Sequence, residues 1–301
     1  MVGRRASGCA PEFPEVPISK TQAEPFAFVK SQRRPFLRAW NVSLSRVVAR
    51  LGNALGTKSL PCHFNGKWIR LSRKSWQILH LAYEENTARA LFANLREGNV
   101  FLDVGAHFGL WSVYAASIIG KTGNVLAFEP SPAFAVLQEN ALLNSRIKTF
   151  NLGLGAKDGE ATFFDQSTAT TGSFVDAVAK INECRYPGVA IGRTNVKIRA
   201  LDSLVAEFRL RPDLIKVDVE GFELEVMRGA ENLLRRVRPI VLIEIHPPQL
   251  ELSGGSDLAL IDFLKQRNYE IDVIDRNPNS LYTILAKPIA GQPPRSLAHQ
   301  G

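Results

Sequence analysis

The chain is predicted to be an α/β protein: a mostly parallel sheet with helices on both faces and one antiparallel strand near its end. Three observations lead there. From Val100 onward, short apolar runs alternate with stretches of helical spacing, the pattern of a parallel sheet covered on both sides. A glycine turn follows the first of these runs and opens a helix. The last two runs are joined by Asp275–Asn279, which leaves no room for a crossover helix, so they should pair antiparallel.

Taken in order, Met1 to about Glu24 is rich in Pro, Ala and Ser and is expected to be poorly ordered. Residues 25–97 are expected to form a helical and hairpin extension. It includes a weakly amphipathic stretch around Leu37–Leu55 and a hairpin over His63–Leu71 that turns at Asn65-Gly66. Trp76–Leu95 has helical spacing, with Ile78, Leu79, Ala82, Ala90, Leu91 and Leu95 on one face. The main domain is expected over residues 98–287. Val100–Val104, Val125–Phe128, Lys148–Leu152, Leu214–Val219 and Ile240–Ile245 read as buried strands. Phe108–Ile119, Pro132–Leu143, Glu223–Arg236 and Asp257–Gln266 read as the crossing helices, and Tyr269–Ile274 with Ser280–Lys287 as the antiparallel pair. This is the Rossmann-like arrangement of class I methyltransferases rather than that of a dehydrogenase. The Ser/Thr/Gly-rich stretch Asp165–Asn195 is expected to be a lid or substrate-contacting loop, and residues 288–301 a disordered tail.

Bulk properties narrow the partners. The 301 residues are 45% hydrophobic, enough for one large domain with an appendage, and no apolar run reaches the roughly 20 residues of a membrane-spanning helix. The first residues lack the apolar core of a signal peptide. Cys9, Cys62 and Cys184 are odd in number and lack a CxxC pair, so they are expected to be free thiols in a reducing cytosol. Met1–Lys74 carries 14 Lys and Arg against 3 Asp and Glu, while the remainder carries 23 against 26. The positive charge sits on the leading segment rather than around a catalytic face, which argues against specific nucleic-acid binding. Weak attraction to acidic surfaces is the expected consequence.

Two constellations carry chemistry. In the first, Asp103-Val104-Gly105-Ala106-His107-Phe108-Gly109 follows a strand and opens a helix. Gly105 lets the chain turn, and Gly109 permits close packing or the approach of a ligand. Glu129 ends the next strand, where a carboxylate can accept hydrogen bonds from two ribose hydroxyls. Asp103 would repel a pyrophosphate but attract an ammonium, which favours S-adenosylmethionine (SAM) over NAD. In the second, alternation along Lys216-Val217-Asp218-Val219-Glu220 puts the three charged side chains on one side at the carboxyl end of a central strand. Glu244 and His246 end a neighbouring strand, so Asp218, Glu220, Glu244 and His246 are expected around one cleft. Alternatively, Glu220 and Glu223 serve a helix N-terminus and Lys216 pairs with a carboxylate. The set lacks a specific metal-ligand spacing, and no metal centre is expected.

These residues resemble the FkbM-type methyltransferase family. The match lies in FLDVGAHFG, Phe128–Pro132, NLGLGAKDGEATF at Asn151–Phe163, Ala200–Leu204, IKVDVEGFELEVMRGA at Ile215–Ala230, and IEIHP at Ile243–Pro247. It covers roughly Asn99 to Lys287. One departure is His107, where the family commonly has Asn. The resemblance implies SAM-dependent methyl transfer to a hydroxyl of a sugar, polyketide or related metabolite. Asp103 and the turn Gly105-Ala106-His107 with Gly109 would then hold the methionine end, and Glu129 the ribose. The backbone at Leu154 and Gly155 would border the adenine, with Asp158 a further candidate, and Asp218 would lie nearest the transferring methyl.

Methyl transfer from a sulfonium mainly needs position and electrostatics, and a hydroxyl acceptor gains from a base. His246 is the first expected base, with Asp218 and Glu220 as alternatives. A nicotinamide-dependent oxidoreductase and a non-catalytic SAM-binding or partner-binding module remain as alternatives, the former without a complete GxGxxG.

Overall fold

A computed structural model of the chain describes residues 56–75, 84–166, 172–185, 191–276 and 281–291. The expectations for residues 1–55, for the first half of the Trp76–Leu95 helix and for residues 292–301 lie outside the described residues.

The strands are β1 (Ser59–Phe64), β2 (Lys67–Ser72), β3 (Val100–Val104), β4 (Asn124–Phe128), β5 (Ile147–Phe150), β6 (Gly153–Leu154) and β7 (Gly159–Gln166). They continue with β8 (Gly172–Ser173), β9 (Ile191–Arg199), β10 (Leu214–Val217), β11 (Ile240–Ile245), β12 (Tyr269–Arg276) and β13 (Tyr282–Pro288). The helices are α1 (Glu85–Asn94), α2 (Leu110–Ile119), α3 (Phe134–Ala141), α4 (Asp176–Arg185) and α5 (Leu201–Phe208). After them come α6 (Glu223–Arg228), α7 (Glu231–Arg236), α8 (Pro247–Leu252) and α9 (Asp257–Lys265).

Seven strands form the main sheet in the order β12-β13-β11-β10-β3-β4-β5. β13 runs antiparallel to both of its neighbours, while β11, β10, β3, β4 and β5 are parallel. This is the expected sheet with its antiparallel strand near the end. The chain leaves β3 toward β4 and β5, then returns to β10 on the other side. The switch between β3 and β10 opens a crevice at the carboxyl ends of the strands, where such sheets bind ligands.

Alternation sorts the strand residues onto two faces. Leu102, Val104, Ile215, Val217, Val241 and Ile243 point into a core shared with α6, α7 and α9. Phe101, Val125, Leu214 and Leu242 point into the other core, shared with α1, α2 and the β1–β2 hairpin. The hairpin buries Leu60, Cys62, Phe64, Ile69 and Leu71 against that core and turns at Asn65-Gly66 as expected. Asn140 ties it down by accepting from the Ser72 N–H at 2.6 Å and donating to Ser75 Oγ at 2.6 Å.

Two expectations change. Asp165–Asn195 does not form one long loop: β7 and β9 pair antiparallel at its two ends, within a second sheet ordered β6-β9-β7-β8, and α4 lies between them. The expected helix Glu223–Arg236 is two helices, broken at Gly229-Ala230. A Cβ on Gly229 would sit 2.0 Å from the Gly155 carbonyl oxygen, so the break lets the two backbones touch. Asp202 then caps the second helix, accepting from the Asn232 and Leu233 N–H groups at 2.8 Å each.

Candidate active site

At the carboxyl end of β3, Gly105 adopts φ +75° and Gly109 φ +80°. The space a Cβ would take at Gly105 is filled by the Asp218 carbonyl oxygen, 1.8 Å away, and at Gly109 by Leu137. Both glycines therefore let protein pack against protein. Ala106 is buried beneath the turn, and His107 takes a left-handed φ of 51°. The His107 ring stacks on Phe108 at 4.0 Å, and burial lowers its pKa to about 4, so it is neutral.

Asp103 is fully buried. Its Oδ2 accepts from Ser112 Oγ at 2.5 Å, and its Oδ1 has no hydrogen-bond partner. Glu129, 5% exposed, bridges two turns: one oxygen accepts from the His107 N–H at 2.7 Å, the other from the Ser131 N–H at 2.9 Å. Burial raises the pKa of both acids, against the hydrogen bonds they accept and, for Asp103, against Lys216.

The second cluster lies across the crevice. β10 pairs Lys216 opposite Asp103 and Leu242, so Asp103, Lys216 and Glu244 share a face on three adjacent strands. Lys216 is buried and its Nζ lies 3.0 Å from Asp218 Oδ2. Burial alone would discharge it, but Asp218, Asp103, Glu84 and Glu244 outweigh that and hold its pKa up. A side-chain hydrogen bond joins Asp218 to Glu244. The Asp218 charge, then burial, push the Glu244 pKa up to about 8, so at neutral pH Glu244 carries the proton of that pair. For Asp218, burial is overcome by Lys216 and His246, and its carboxyl stays below the usual range.

The strand ends at Val217, so alternation does not extend to Glu220 as expected. Instead Glu220 sits in a turn with φ +49°, a strained conformation for a residue with a Cβ. Ser173 of β8 donates to its carbonyl oxygen at 2.9 Å, and Gly221 follows with φ +101° packed on Gln249. The second sheet thus reaches the site from the stretch expected to touch it.

His246 is 2% exposed. Its Nδ1 lies 2.7 Å from Glu223 Oε1, and its Nε2 lies 3.6 Å from Glu220 Oε2 and 3.9 Å from Asp218 Oδ1. Burial opposes the charged ring, but Glu220, Glu223 and Asp218 together raise its pKa to about 10. A ring that already carries both protons at neutral pH has no lone pair with which to take another. That charge state favours a neighbouring acid over His246 as the base. Glu220 is the contrasting group: its side chain is 27% exposed, and burial raises its pKa against the attraction of His246.

The adenine-side candidates lie apart from these charges. Leu154 is buried in the second core, and Gly155 packs on Ile198 and Phe222. Asp158 is engaged elsewhere, accepting from the Ala200 N–H at 2.7 Å and from Arg199 Nε at 3.0 Å at the start of α5. Sequence reasoning missed Glu84 as a partner of Lys216 and Glu223 as a partner of His246. Glu223 is the nearer miss, since its place beside KVDVEG in the sequence marked it only for the helix N-terminus. Among the described residues, no group of three or more His, Cys, Asp and Glu has metal-holding geometry. No helix among them is long and apolar enough to cross a membrane.

A family model described as the methyltransferase FkbM domain matches residues 103–271, a span that includes every residue of this site except Glu84. The hexuronic acid methyltransferase AglP of Haloferax volcanii is 32% identical over 174 residues, which cover 57% of this chain and 66% of that protein. The AMB antimetabolite synthetase AmbE of Pseudomonas aeruginosa is 30% identical over 205 residues, covering 58% of this chain and 10% of that protein. The 31-O-demethyl-FK506 methyltransferase FkbM of Streptomyces tacrolimicus is 29% identical over 191 residues, 56% of this chain and 72% of that protein. The chain thus spans less than two thirds of the first two of these relatives.

Proposed function

The chain belongs to the methyltransferase FkbM domain family, and we propose from that premise that it transfers a methyl group from SAM to a hydroxyl of a sugar, polyketide or related metabolite. The family is SAM-dependent, and the residues present fit that cofactor. Asp103 has a buried carboxylate oxygen without a partner, suited to an ammonium. Each Glu129 oxygen takes one backbone N–H and keeps a lone pair for a ribose hydroxyl. A dinucleotide fits poorly, because the cations beside the crevice, Lys216 and His246, are already held by carboxylates.

When bound, SAM supplies a methyl group on a positively charged sulfur, so the chain need only position the acceptor and remove its proton. Glu220 is the proton acceptor in this reading. It is a partly exposed acid that burial makes more basic than a free carboxylate, whereas Glu244, raised further to about 8, already holds a proton at neutral pH; that difference carries the assignment. Asp218 is too firmly held by Lys216 to be a good base, and it faces the acceptor as a fixed negative charge. His246 Nε2 faces the two carboxylates at 3.6 and 3.9 Å, a contact between charges rather than a hydrogen bond. The acceptor oxygen gives its proton to Glu220 as it takes the methyl group. The choice of oxygen as the methylated atom draws on the names of the relatives, one acting on a hexuronic acid and one on 31-O-demethyl-FK506.

Calorimetry with SAM and a panel of hydroxylated sugars and polyketides analysed by mass spectrometry tests this. The expected outcome is SAM binding, with one methyl gained by one class of acceptor per S-adenosylhomocysteine released. Glu129→Ala should weaken SAM about 10²–10⁴-fold, the worth of two hydrogen bonds to a charged group. Thermal stabilisation by NAD but not by SAM would sink the proposal, as would SAM binding without turnover of any acceptor.

A further inference from the structure

We propose that Glu223 is a positioning residue of the reaction: it fixes His246 through Nδ1 so that the ring presents a proton at Nε2 to Glu220 and Asp218. The inference rests on the placement of the proton acceptor at Glu220. Glu223 begins α6, where an acid in the first turn needs no special explanation. Its geometry goes beyond that role. The side chain is fully buried, at the bottom of the cluster rather than on the helix surface. One oxygen, Oε1, serves two partners at once, the Gly221 N–H at 3.1 Å and His246 Nδ1 at 2.7 Å. Its other oxygen, Oε2, is buried without a partner.

A buried carboxylate costs several kcal/mol unless a charge or good hydrogen bonds offset it, by about the magnitude known for buried ions. Here the partner of matching charge is the His246 ring. The other groups acting on that ring are Asp218 and Glu220 from the turn after β10 and Glu244 from its own strand, all of them carboxyls. With Nδ1 held by Glu223, Nε2 faces Glu220 Oε2 at 3.6 Å and Asp218 Oδ1 at 3.9 Å. Glu223 also holds the Gly221 N–H, so one carboxylate fixes both the ring and the turn that carries Glu220 in its strained backbone. This is the arrangement in which a third group orients the acid–base pair without touching substrate.

The test compares Glu223→Gln with the parent in the full chain. Glutamine keeps an oxygen for the Gly221 N–H but removes the charge beside His246, so a purely structural Glu223 would leave the ring unchanged. The first readout needs no acceptor: imidazole nitrogen NMR, with the His246 signals identified by their loss in His246→Asn. In the parent, His246 should remain doubly protonated at pH 8. In Glu223→Gln, its titration should fall by at least about one pH unit, the effect of losing one adjacent charge. The second readout is kinetic. The variant should lose about tenfold or more in kcat with the KM for SAM within about twofold, and the loss should vanish in a His246→Asn background. Should Glu223→Gln fail to fold, Glu223→Asp provides a second comparison, in which the charge is kept and the reach shortened. It should leave the ring doubly protonated at pH 8 while lowering kcat. An unchanged His246 titration in Glu223→Gln, or an equal kcat loss with and without His246, overturns the proposal. If the parent turns over no acceptor at all, that failure belongs to the proposed function, and the NMR titration still decides on Glu223.

Discussion

The carboxylates at the ends of β3 and β4 and those at the ends of β10 and β11 are held in opposite ways. Asp103 and Glu129 take their hydrogen bonds from near neighbours: the Ser112 hydroxyl for one oxygen of the first, main-chain N–H groups of two turns for the second. Asp218, Glu220, Glu223 and Glu244 are satisfied by charge and by one another, through Lys216 and His246. The second arrangement makes the protonation of any one group depend on the others.

The sharpest way to break this contrast is Glu220→Gln. Kinetics should show kcat reduced about 10²–10⁴-fold with SAM affinity within about threefold, the usual worth of a general base. A comparable loss of SAM affinity would mean that the two halves are not separable. Lys216→Met comes next. It leaves Asp218, Asp103 and Glu84 without their shared cation, and chemical denaturation should show a loss of about 3–5 kcal/mol, the cost of breaking a buried pair. A loss under about 1 kcal/mol would show that the acids simply take up protons instead.

A pH dependence of stability is the third test. The folded pKa of His246, about 10, lies above its unfolded value of about 6.5. Its contribution is therefore complete below pH about 6.5 and is lost as pH rises toward about 10. Glu244, also raised, to about 8, adds a loss of the same sign that ends sooner. Between pH 8 and 9 the decline should therefore belong mainly to His246, because above that the buried Cys62 thiol, raised to about 11, adds a loss of its own. Melting curves of the parent should fall across that window, and those of His246→Asn should fall less. Equal slopes would remove the carboxylate cage around the ring.

The legibility of the two halves differs for the same physical reason. Asp103, Gly105 and Glu129 lie within 27 residues, and the hydrogen-bond partners of the two acids lie in the same short stretch of sequence. The strands Val100–Val104 and Ile240–Ile245 were readable to the residue because unbroken apolar runs leave little choice. The break at Gly229 was not readable, because what interrupts that helix is the Gly155 carbonyl from 74 residues away. Nor was the paired secondary structure at the two ends of Asp165–Asn195, where β7 and β9 gain their stability from each other rather than from apolar content.

By itself, then, the sequence determined the parallel sheet, its late antiparallel strand, the family and the set of acids at the strand ends. Those follow from periodicity, turn chemistry and local motifs, all short-range in the chain. The tertiary structure alone decided which acids surround Lys216 and which carboxylate meets each nitrogen of His246. A side chain's charge state is set by burial and by every charge within a few ångströms, and here those charges come from α1, β3, β10, the turn before α6, and β11.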